Sequence, residues 1–146
     1  NGEITASGGE FERWRYRIVD LADRSDPAEH QIWLDLTTFW KELDAVGIDM
    51  YRSMASANQP IPTDPKALVA LLRQRTDSFA TQMDTALTQI SLTLGLEKLV
   101  IFKELGCRSV EKGFIDPFGY AGSGAVNTLH QAAAYQALFS SFWEPR

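Results

Sequence analysis

The sequence predicts an all-α protein: a bundle of four to five helices, mainly antiparallel, with a glycine- and aromatic-rich loop before the last helix. Three observations carry this expectation. Apolar residues recur at helical spacing along most of the 146 residues. Two Asp-Pro pairs, Asp26-Pro27 and Asp64-Pro65, supply the chemistry that starts helices. No stretch of six residues alternates apolar and polar side chains as a half-buried strand would. A chain of this length can bury roughly two-thirds of its unfolded surface without a disulfide or metal. Residues 1–9 read as a disordered lead-in and residues 10–146 as a single helical domain.

The polar, glycine-rich lead-in closes on Ser7 and Glu10, which have the spacing of a capping box. Phe11, Trp14, Ile18 and Leu21 then recur at helical spacing and predict a first helix over about 9–24. The second helix starts at the N-cap Asp26, with Pro27 at a position where its missing N–H costs nothing. Ile32, Leu36, Phe39, Leu43, Val46 and Met50 give it a core stripe, widened by Trp33 and Trp40. Met50, Tyr51 and Met54 carry the same period past Gly47, so this helix is expected to run to about residue 57 with a bend at the glycine.

Three prolines within "NQPIPTDP" make a loop. Asp64 and Pro65 then open a third helix, in which Leu68, Leu72, Phe79, Met83, Ala86 and Ile90 form a stripe. Gly95 interrupts the pattern, and the sequence alone leaves residues 65–105 as one helix or two. The cluster "LVIF" is short and flanked by the helix formers "LEK" and "KELG", so it reads as helix, with Gly106 as its C-cap. The last helix runs through "AVNTLHQAAAYQALFSSFW", with Ser123 as its N-cap and Val126, Leu129, Ala133, Leu138, Phe142 and Trp143 facing inward.

The stretch "GFIDPFGYAGSGAV" invites chemical readings, and each lacks a required part. A phosphate-binding P-loop needs Lys followed by Ser or Thr after its last glycine, whereas Gly124 is followed by Ala125 and Val126. A nucleophile elbow needs Gly-x-Ser-x-Gly, whereas Ser123 stands in Ala-Gly-Ser-Gly-Ala, and no Asp follows it. His30 and His130 belong to no metal-ligand spacing, and Cys107 has no second cysteine. Asp77 with Asp84, and Glu42 with Asp44, read as surface charges. No cofactor or metal is expected.

Fourteen Lys and Arg against nineteen Asp and Glu leave a net charge of -5. The arginines of "ERWRYR" are balanced by nearby acids, so nucleic acid is not an expected partner. No apolar run approaches the roughly twenty residues of a transmembrane span. A single cysteine suits a cytoplasmic protein.

What remains is a surplus of large apolar groups: Trp33, Trp40 and Tyr51, with Phe114, Ile115, Phe118 and Tyr120 in the loop. This candidate binding surface predicts a non-catalytic, regulatory, adaptor or self-associating module that works through protein contacts. The alternative is a sensor or carrier that encloses a small apolar ligand within the bundle. The absence of convergent polar groups argues against an enzyme.

Overall fold

The computed structural model describes residues 5–7, 11–23, 25–119 and 124–143. Its elements in chain order are β1 (Thr5–Ser7), α1 (Phe11–Arg15), which continues as a π-helical turn over Tyr16–Asp20, α2 (Pro27–Glu42), β2 (Ala45–Met50), α3 (Pro65–Leu94), β3 (Leu99–Leu105) and α4 (Thr128–Phe142). The strands form one sheet in the order β1-β2-β3, and β1 pairs with β2 in parallel, Thr5 opposite Ala45 and Ser7 opposite Gly47. The all-α bundle is therefore corrected to a mixed α/β arrangement. β1 falls within the stretch read as a lead-in, and Gly8 to Glu10 of the expected capping box lie outside the described residues.

Each strand escaped the periodicity argument for a physical reason. β2 is buried at Ala45, Val46, Gly47, Ile48 and Met50, with only Asp49 half-buried. A strand covered on both faces reads as a continuous apolar run rather than an alternation, and on a helical count that run extended the stripe of α2. The helix instead stops at Glu42, where Leu43 turns extended at φ −70° and ψ 138°. Lys98 closes this end: its Nζ donates to the Lys41 carbonyl at 2.8 Å and also to that of Leu43. "LVIF" begins β3, and its helix-forming flank "KEL" belongs to the strand as well.

Residues 65–94 form a single helix. Asp64 Oδ1 accepts the Ala67 N–H at 2.8 Å, as its cap position predicts. Gly95 ends the helix at φ +68°, a left-handed conformation that a side chain disfavours, and the Leu96 N–H reaches back to the Ser91 carbonyl at 3.2 Å. β2 precedes α3 and its sheet neighbour β3 follows it, so α3 connects adjacent strands of the sheet in the order of a β-α-β unit.

The chain divides into two compact units, Asn1–Asp49 with Gln82–Lys103, and Met50–Thr81 with Glu104–Arg146. Ile18, Trp40, Leu43, Val46, Ile48 and Ile90 are buried in the first. There Trp14 packs against Trp40 at 5.1 Å, and Trp33 Nε1 donates to the Ile18 carbonyl at 2.9 Å. Ile32 and Phe39, expected in the core, are 66% and 47% exposed, so the buried face of α2 is narrower than its apolar stripe.

Met54, Leu68, Leu72, Phe114 and Leu138 are buried in the second unit. It also buries a hydroxyl pair, Thr76 Oγ1 to Ser141 Oγ at 2.6 Å, with Ser141 donating to Asp77 Oδ1 at 2.6 Å. α4 is capped by Asn127, whose side chain accepts the His130 N–H; Ser123, the expected cap, lies outside the described residues. Its buried face is built largely from small residues, Ala133, Ala134, Ala137, Ser140 and Ser141, beside Leu138. Val126, Leu129 and Trp143, expected to face inward, are exposed. Among the described residues no helix is long and apolar enough to cross a membrane.

Candidate functional site

In parallel α/β sheets, ligands bind beyond the carboxyl ends of the strands, where loops can vary without disturbing the sheet. Tyr51 directly follows β2, and Glu104 is the penultimate residue of β3. The Tyr51 hydroxyl donates to Glu104 Oε2 at 3.1 Å, so the two strand ends converge on one exposed carboxylate. Tyr51 also lines a cleft of about 240 Å³ together with Gly106, Cys107, Arg108, Phe118 and Tyr135.

The turn that leaves β3 is shaped by contact with α4. Gly106 adopts φ +133°, and a Cβ at that position would collide with the Tyr135 hydroxyl. The chain then continues into a loop stitched at its base. Val110 bridges Val126, the Glu111 N–H donates to the Ala125 carbonyl at 2.8 Å, and the Asn127 N–H to that of Ser109 at 2.9 Å. Further along, the Ile115 N–H donates to Lys112, the Met54 N–H to Phe114 and the Gly119 N–H to Asp116. The glycine- and aromatic-rich loop is thus tied down by backbone hydrogen bonds as far as Gly119.

The expected binding residues divide by unit. Trp33 and Trp40 belong to the first, where Trp40 is 1% exposed and His30 stacks on Trp33 at 5.9 Å. In the second, Phe114 is fully buried, with His130 against its edge at 5.4 Å, and Ile115 is half-buried. Both therefore serve packing. Tyr51 and Phe118 do come together, with ring centroids 5.7 Å apart and planes at 71°. Tyr120 lies outside the described residues. His130 Nδ1 accepts the Lys112 N–H at 2.9 Å, which gives this histidine a structural task.

Glu104 went unremarked in the sequence because "KELG" read as the end of a helix. Its signal was an acidic residue closing the apolar run "LVIFKE", which is visible once that run is a strand. Two larger hollows lie in the first unit: one along α3 from Asp84 to the turn at Lys98, at the amino end of β3, and one at Arg17, Leu21, Glu29, Ile32, Trp33 and Leu36. Among the described residues, neither is lined by one at the carboxyl end of a strand. Among the described residues no group of three or more His, Cys, Asp or Glu side chains is placed to hold a metal ion.

Burial pushes the Cys107 thiol up from 9.0 to about 11. It stays protonated at neutral pH and is a poor nucleophile there. An unfolded chain ionises this thiol first, so its contribution to stability is intact below pH 9.0 and is lost as the pH rises toward about 11. Iodoacetamide is expected to alkylate Cys107 slowly at pH 8, with a rate that climbs toward a midpoint near 11. A midpoint near 9.0 would mean an ordinary, solvated thiol.

Comparison with known families gives one finding. The model of Glycoside Hydrolase Family 113 matches residues 26–146, from the N-cap of α2 onward. No curated protein and no solved structure matches the chain. The family's fold is a TIM barrel, a ring of β-α units, which accords with the β-α-β order and not with an antiparallel bundle. The match also overturns the expectation of a non-catalytic regulatory, adaptor or self-associating module, and with it the alternative of a sensor or carrier for an apolar ligand. The expectation of no enzyme falls with them.

Proposed function

The chain belongs to glycoside hydrolase family 113, and from that premise we propose that Glu104 is one of the two carboxylates that cleave the glycosidic bond. TIM-barrel enzymes carry their reacting groups at the carboxyl ends of the strands. Glycoside hydrolysis asks for two carboxyl groups, one to protonate the leaving oxygen and one to act as nucleophile or base. The observation that carries the assignment is the contact between strand ends, Tyr51 hydroxyl to Glu104 Oε2 at 3.1 Å. The Tyr51 hydroxyl engages Oε2 of Glu104, which leaves Oε1 to meet the substrate. Glu104 is given the nucleophile or base role, and Tyr51 is the positioning residue that fixes which oxygen faces the sugar.

The exposure of Glu104 suits a group that must meet a substrate, and the cleft beside Tyr51 gives the substrate a place to lie. The test is release of reducing ends from a panel of soluble polysaccharides with α- and β-linked sugars. Steady release from at least one linkage is the expected result. No release from any of them, by protein whose circular dichroism shows it folded, would overturn the reading.

A further inference from the structure

Phe118 is 61% exposed, although it follows the buried Pro117 and lies four residues beyond the fully buried Phe114. An aromatic side chain held in water on an ordered loop forgoes the burial that its neighbours obtain. The loop fixes it there: the Gly119 N–H donates to the Asp116 carbonyl at 3.2 Å, and the Met54 N–H ties Phe114 at 2.9 Å. The ring stands nearly perpendicular to that of Tyr51, the residue that holds Glu104, and both line the same cleft with Tyr135 and Arg108.

We propose that Phe118 is a specificity-determining residue, the wall of a sugar subsite next to the bond that Glu104 acts on. A pyranose ring with its axial hydrogens on one face presents an apolar surface of the size of a phenyl ring, while its hydroxyls point outward to polar partners. Phe118 would pack on that apolar face and set which ring, and how long a chain, the enzyme prefers. The inference rests on the assignment of Glu104.

The experiment compares Phe118→Ala, Phe118→Leu and Phe118→Tyr on an aryl monoglycoside and on a ladder of oligosaccharides. Loss of the ring is expected to raise KM for oligosaccharides about tenfold in both the Ala and Leu forms, with kcat nearly unchanged. Phe118→Tyr is expected to restore KM, and the monoglycoside, which has fewer rings to pack, to show a smaller rise in KM than the oligosaccharides in the Ala and Leu forms. Calorimetric binding of an oligosaccharide to Glu104→Gln enzyme, with and without Phe118→Ala, should show the same weakening without turnover. Equal KM values across the ladder for the unsubstituted and Phe118→Ala enzymes would overturn the inference while leaving hydrolysis by Glu104 intact. Hydrolysis that survives Glu104→Gln would instead remove the assignment beneath it.

Discussion

Replacing Glu104 by Gln is expected to lower kcat/KM for glycoside hydrolysis by at least about a thousandfold, roughly 4 kcal/mol of transition-state stabilisation. The amide keeps the shape of the side chain and an oxygen that can accept from Tyr51, so geometry is largely preserved. What disappears is the negative charge that must face an oxocarbenium-like centre or attack it. Because Glu104 is exposed, the substitution is expected to leave the melting temperature close to that of the unsubstituted protein. Steady-state kinetics beside a thermal melt separates the two effects. Activity within about tenfold of the original would mean that the reaction does not pass through this carboxylate.

Leu43→Ala is expected to cost about 2–5 kcal/mol of folding stability, because the side chain is 2% exposed at the corner between α2 and β2 and its removal leaves a cavity. Leu36→Ala, seven residues earlier on a half-buried turn of α2, should cost less, about 1 kcal/mol. Urea titration measures both, and unchanged m-values would show that the unfolded states are alike. Equal losses at the two positions would mean that the continuous helical stripe, rather than the helix-to-strand corner, describes this segment.

Where a helix buries one face, the sequence was legible. Leu68, Leu72, Met83, Ala86 and Ile90 were expected on the inner stripe of α3 and are buried there, and the Asp26 and Asp64 caps form as their spacing predicts. The strands were not legible, because β2 is covered on both sides and its run of Ala45, Val46, Gly47 and Ile48 has no polar alternation to mark it. Helical counting absorbed that run, and the same preference absorbed "LVIFKEL". The candidate site disappeared with β3, since Glu104 gains meaning only as the end of a strand. Tyr51 and Phe118 are legible as surplus aromatics and do meet, whereas the carboxylate that Tyr51 reaches lies 53 residues further along the chain, a pairing that no local pattern announces. α4 erred in the other direction: its large apolar residues drew attention while its small ones form the buried face.

Treatment with an epoxyalkyl glycoside, followed by tryptic mapping, tests the central assignment most directly, because the sugar carries the epoxide into the site and the carboxylate that attacks it becomes an ester. Cleavage after Lys103 and after Arg108 isolates Glu104 in a five-residue peptide, Glu104 to Arg108. The account predicts time-dependent inactivation with the label on Glu104, and protection by an oligosaccharide substrate. Inactivation with the label on another carboxylate, and the Glu104 peptide recovered unmodified, would contradict it.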